Sequence, residues 1–185
     1  NESERRGQRK RSRPDSSDFR TRIGSMKSTV YVETSVISYL AARPSRDLIV
    51  AAHQQISQEW WDVRQRWALS ISALVVAESR AGDAEAAQRR LALLEGVPLL
   101  HLSDAATELA EHLLNRAALP LPAKDDALHV AVATVHGMDY LLTWNCKHIA
   151  NAQQRPRIEA VCRALGYRPP VICTPEELLG DFDVD

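Results

Sequence analysis

From residue 29 onward, short β-branched or apolar runs alternate with longer stretches of helical periodicity, and this alternation restricts the possible folds more than any other feature of the chain. Residues 29–33 (TVYVE), 67–72 (WALSIS), 98–102 (PLLHL), 139–143 (DYLLT) and 171–173 (VIC) read as strands. Between them, residues 35–42, 73–80, 83–94 and 124–136 read as helices. Ser45 is expected to cap a helix reaching about residue 66, and Ser103 one reaching about residue 117. Residues 157–165 read as a further helix closed by Gly166, and Thr174-Pro175-Glu176-Glu177 is a capping box with proline at the first helical position. Strands separated by helices imply an α/β fold: a central, mainly parallel sheet of about five strands between helical layers. Ligands of such sheets sit beyond the carboxyl ends of the strands, so chemistry is sought there.

The chain has 185 residues, 45% of them hydrophobic and 25% charged, which suits one domain with a real core. Residues 1–25 are polar and poor in aliphatics, and read as a disordered basic leader, either foreign to the natural domain or a genuine basic arm; the domain is expected over 26–185. Lys and Arg outnumber Asp and Glu eight to four in the leader and are outnumbered twenty to fifteen afterwards. An acidic domain does not hold nucleic acid by a general basic surface, so a metal ion or a local basic patch would have to offset the repulsion. Cys146, Cys162 and Cys173 are odd in number and form no C-x-x-C pair, which favours a reducing, cytoplasmic setting over a disulfide framework. No apolar run is long enough to cross a membrane and no signal peptide is evident.

Acidic and amide side chains recur where strands end. Glu33 closes the first strand. Glu78 lies in the helix after the second and shares a face with Leu74 and Val75, so it needs a partner, a cation such as Arg80 being one candidate. Asp125 and Asp126 open the apolar helix 124–136, where acids also suit the helix dipole, and Asn145 follows the fourth strand in Thr143-Trp144-Asn145. Carboxylates crowded at one sheet edge repel, and a divalent cation removes the conflict. Oxygen ligands favour Mg²⁺ or Mn²⁺, ions that activate water and stabilise charge on a phosphoryl oxygen. Phosphodiester hydrolysis is the chemistry this set suits best.

These residues, in this order, resemble the PIN domains of the VapC toxin family. Glu33-Thr34-Ser35 matches the family's D-x-[ST/N], with Glu for the usual Asp. Glu78 matches the glutamate after the second strand, Asp126-Ala127-Leu128-His129-Val130-Ala131 matches D-A-L-x-x-A, and Thr143-Trp144-Asn145 matches T-x-[N/D]. His148 follows where the family often has a further acid. The resemblance covers about residues 28–180. It implies a three-layer PIN-like sandwich and a Mg²⁺- or Mn²⁺-dependent endoribonuclease. Glu33, Glu78 and Asp126 would hold the metal, Asn145 would take part in catalysis, and Ser35, Asp125 and Thr143 would support from outside. It also implies an RNA substrate, an antitoxin that covers the crevice, and a homodimer. The alternative is a catalytically degenerate PIN-fold protein that only binds its partner.

Other residues carry less. His129 shares a helix side with Asp125 and Asp126 and reads as a packed or solvent-edge imidazole before a ligand. Cys146 and His148 do not make a zinc site. Trp60, Trp61 and Trp67 read as core or dimer packing before base stacking. Lys147, Arg155 and Arg157 are either a phosphate-holding patch or a solvated edge. No strand ends in a phosphatase D-x-D or Cys-x₅-Arg loop, and no Gly-rich nucleotide loop is present.

Overall fold

A computed structural model describes residues 27–180; the expected leader over 1–25 lies outside the described residues. Five strands, β1 (Thr29–Val32), β2 (Ala68–Ser72), β3 (Leu99–Leu100), β4 (Tyr140–Leu142) and β5 (Val171–Cys173), form one sheet in the order β3-β2-β1-β4-β5, and every pairing is parallel. Among the described residues, eight helices accompany them: α1 (Thr34–Ala41), α2 (Leu48–Asp62), α3 (Ala73–Ser79), α4 (Ala84–Leu93), α5 (Asp104–Asn115), α6 (Lys124–Val135), α7 (Arg155–Ala164) and α8 (Pro175–Leu179). The expected α/β class and five-stranded parallel sheet are therefore what the chain adopts.

β1 is the centre, and its composition explains why. Val30, Tyr31 and Val32 are all buried, as the middle strand of a sheet covered on both faces requires. The chain builds outward from β1 through β2 to β3, then returns to β1's other side for β4 and β5. Strand order therefore reverses beside β1, and sheets of this kind form their ligand crevice at such a place, beyond the carboxyl ends. Val130, Ala131 and Val132 of α6 pack into the core with Leu109 and Leu113 of α5 and with Leu141 and Leu142 of β4. Short Ala and Val side chains let α6 lie close, which brings its acidic first turn to the crevice.

Several boundaries differ from the sequence expectation. Asp47, not Ser45, caps α2: its carboxylate accepts from the amides of Ile49 and Val50, and the Ser45 hydroxyl accepts from the Asp47 amide one step earlier. α2 ends at Asp62 and a 3-10 turn, Arg64–Arg66, leads into β2. α7 starts at Arg155, with Pro156 in its first turn. Ser103 caps α5 as expected, and Thr174 and Glu177 form the full capping box at α8. Trp60 is fully buried and stacks on Trp67 at 5.8 Å, so it serves the core of this chain. Among the described residues no helix is long and apolar enough to cross a membrane.

Candidate functional site

Glu33 sits at the turn from β1 into α1, in the crevice beside the strand reversal. It caps α1, accepting from the Ser35 amide at 3.1 Å and from the Ser35 hydroxyl. The Thr143 hydroxyl, just past β4, donates to Glu33 Oε2 at 2.6 Å. Glutamate's extra methylene is thus taken up by Ser35 and Thr143, and the carboxylate is held only 6% exposed. Both of the expected supporting hydroxyls are in contact with it.

Glu78, on α3, projects toward the same place. Its Oε2 accepts from the Thr34 hydroxyl and lies 3.0 Å from His129 Nε2. The partner is thus the imidazole of α6 rather than Arg80. His129 is 1% exposed, and its other nitrogen, Nδ1, lies 2.8 Å from the Tyr31 hydroxyl, itself 2.7 Å from Ser72 Oγ. A polar line, buried except at Glu78, therefore runs Ser72–Tyr31–His129–Glu78–Thr34, joining β2, β1, α6, α3 and α1. Tyr31 and Glu33, two apart along the chain at the end of β1, share one sheet face.

The electrostatics follow from this line. Burial opposes charge on His129, but the hydrogen bond to Glu78 and the charges of Glu33, Glu78 and Asp126 outweigh it and raise its pKa above the ordinary histidine value. Burial also opposes charge on Glu78, and the bond and charge of His129, with the Thr34 hydroxyl, hold it below the usual glutamate range. The two shifts reinforce one another. Burial also pushes the Tyr31 phenol up, so it stays neutral and can both donate and accept.

Asp126, one turn before His129 on α6, occupies a neighbouring position. Asn145 Nδ2 donates to its Oδ1 at 2.8 Å, and His148 Nδ1 lies 2.6 Å from its Oδ2. Asn145 in turn accepts from the His148 amide at 3.1 Å and donates its own amide to Thr143 Oγ1 at 2.9 Å. Asp125 is exposed. Arg155 is bidentate to Glu177 at 3.0 and 3.1 Å, tying α7 to α8, so it does not form part of a basic patch. Lys147 and Arg157 are exposed.

The structure thus brings together Glu33, Glu78 and His129, each offering one ligand atom within 4.8 Å of the others, a spacing that fits one cation. Asp126 joins this group through charge and Asn145 through Asp126. Sequence reasoning set His129 aside as packing and missed Tyr31 and Thr34. The available signal was a lone histidine in an Ala/Val helix, three residues after an acid that aims at the crevice.

No family model and no curated protein matches the chain in sequence. Solved structures do match in shape. One is a chain of VapBC2 from Rickettsia felis bound to a DNA fragment from the promoter, with a TM-score of 0.53, 17% identity, and coverage of 79% of this chain and 98% of that one. Another is VapC20 of Mycobacterium tuberculosis, a sarcin-ricin loop cleaving toxin, with a TM-score of 0.53, 20% identity, and coverage of 66% and 95%. Together with the five-stranded parallel sheet, these matches show that the chain has the fold of a VapC-type PIN domain.

Proposed function

We propose that the chain is a divalent-cation-dependent endoribonuclease of the toxin kind. The observation that carries this reading is the convergence of Glu33, Glu78 and His129 at the carboxyl ends of the strands, with Asp126 beside them. Glu33, Glu78 and Asp126 would hold Mg²⁺ or Mn²⁺, with Asn145, and Asp125 from the rim, orienting what binds there. The cation, when bound, lowers the pKa of water and stabilises negative charge on the phosphoryl oxygens. The chain's own residues fix the carboxylates before any substrate arrives. Ser35 and Thr143 pin Glu33, Thr34 pins Glu78, and Asn145 and His148 pin Asp126. Pre-set geometry of this kind lowers the cost of binding and orienting the reacting groups. Exposed Lys147 and Arg157 would meet the phosphates on either side.

The partners follow from the same reading. The VapBC2 match supports an antitoxin that covers the crevice, and the exposed Leu48 and Ile49 on the first turn of α2 offer apolar surface to that partner or to a second copy. A homodimer in the cytosol acting on RNA completes the proposal. Incubating structured RNAs with the metal-stripped chain, with and without Mn²⁺, tests it. Cleavage is expected only with metal, and its absence from the wild type under both conditions would sink the nuclease reading.

One observation favours the alternative of a binding protein without catalysis. His129 Nε2 lies 3.0 Å from Glu78 and 3.9 Å from Glu33, where a protonated ring would offset both carboxylates without an ion. Calorimetry separates the two: no heat on titrating Mn²⁺ supports the alternative.

A further inference from the structure

We infer that His129 is itself a metal ligand through Nε2, adding a nitrogen to the carboxylate oxygens of Glu33 and Glu78 and tilting the site toward Mn²⁺ over Mg²⁺. The inference rests on the metal-dependent reading proposed above and names a ligand at a position that the D-A-L-x-x-A motif leaves open.

His129 Nε2 lies 3.0 Å from Glu78 Oε2 and 3.9 Å from Glu33 Oε1. Two ligands each ~2.1 Å from one ion stand ~3.0 Å apart at a right angle and ~4.2 Å apart when opposite. His129 Nε2 therefore already sits at ligand-to-ligand spacing from both carboxylates. Direction agrees with distance. Nε2 points at the place where both carboxylates converge, and the ring cannot turn away, because it is buried and its far nitrogen is held by Tyr31.

The tautomer can also be met. A ligating imidazole presents a lone pair at one nitrogen and carries its hydrogen on the other, where an outer partner must accept it. Tyr31 can be that partner. Its oxygen accepts from Nδ1–H while its own hydrogen goes to Ser72 Oγ. Without metal, Nε2–H donates to Glu78 and the Tyr31 hydroxyl stays on Nδ1. The neutral hydroxyl allows both states without moving a heavy atom, so Tyr31 is a positioning residue for His129.

The choice of ion follows from ligand type. Mg²⁺ takes oxygen and keeps its waters, whereas imidazole suits the transition metals. A site of carboxylates alone would discriminate less between Mg²⁺ and Mn²⁺.

The test uses the full chain, stripped with EDTA and loaded with Mn²⁺. Electron spin-echo spectroscopy should show nitrogen hyperfine coupling to Mn²⁺ in the wild type and none in His129→Gln. By calorimetry the wild type should bind Mn²⁺ at least ~10-fold more tightly than Mg²⁺, and His129→Gln should bring the two within ~3-fold. Tyr31→Phe keeps the ring and removes the Nδ1 partner, and should lose ~10-fold in Mn²⁺ affinity. If His129→Gln does not fold, the wild-type spectrum and Tyr31→Phe decide. Mn²⁺ bound without nitrogen coupling would overturn the ligand while leaving the metal-dependent reading intact. Equal or tighter Mn²⁺ binding by His129→Gln would overturn it in favour of a fixed cation that competes with metal. No Mn²⁺ binding by the wild type would overturn both.

Discussion

At the scale of single residues, the crevice is a set of carboxylates each held by its own neighbours, and this changes what a substitution should do. Judged by charge alone, Asp126→Asn relieves repulsion and leaves the metal-free protein as stable or more so. In the structure, Asp126 accepts from both Asn145 and His148. An asparagine keeps one acceptor and turns an NH₂ toward the other donor, so metal-free stability is expected to fall by about 1 kcal/mol. On the proposed function, metal binding and RNA cleavage should fall far more steeply, and urea melts run beside cleavage assays check both. Asp139 carries a different test. Its carboxylate accepts from the amide and hydroxyl of Thr29, both at 2.9 Å, and these bonds, backbone first, hold its pKa below the ordinary value. A lowered carboxyl stabilises the fold above its unfolded pKa of ~3.9 and loses that contribution as pH falls through the folded value. Asp139→Asn should therefore cost about 1 kcal/mol at neutral pH, discounted for a side chain that is partly exposed, and converge on the wild type in acid. Parallel melts that stay separated at low pH would count against this account.

At the scale of elements, the helix ends show what is legible in a sequence and what is not. α6 and α7 both end in a left-handed glycine, Gly137 at φ 65° and Gly166 at φ 83°. The amide of each glycine and the one after it bond back into the last turn: Gly137 to Thr134 and Met138 to Ala133, Gly166 to Arg163 and Tyr167 to Cys162. Both stops are readable from the glycine. α5 ends by the same two bonds, Ala117 to Leu114 and Ala118 to Leu113, but places alanine at φ 53°. Sequence reading finds that end only by default, because alanine gives no sign of a turn. The same position offers a prediction: Ala117→Gly should stabilise the protein by about 0.5–1 kcal/mol by removing the Cβ clash of the left-handed conformation, net of glycine's entropy. A thermal melt no higher than the wild type would refute it. The α2 cap is a related case. Ser45 and Asp47 are both good caps, and only the path of the chain after Pro44 selects the aspartate.

At the scale of the whole molecule, the strand–helix alternation and the positions of Glu33, Glu78, Asp126 and Asn145 were legible because each is local: a residue type at the end of a periodic run. The Tyr31–His129 contact was not, because it joins residues 98 apart and depends on how α6 lies across β1. A metal ion binding only the folded chain should stabilise the whole, by ~2.7 kcal/mol at a hundredfold excess over Kd, or roughly 5–10 °C in Tm for a domain of this size. EDTA-treated protein that melts identically with millimolar Mn²⁺ would remove the metal from the account. The strand order has its own consequence for synthesis. β1 precedes every other strand of the sheet, yet its neighbour β4 follows only after residue 139. Thr143, which pins Glu33, lies 110 residues downstream of it. Closing so long a loop is slow and comes late. A chain still on the ribosome, with β1 to β3 outside and α6 not yet made, carries Glu33 and Glu78 but neither His129 nor Asp126, so the crevice exists only in the finished protein. On the proposed function, the topology itself would act as a timer, keeping each copy from attacking RNA while it is being made.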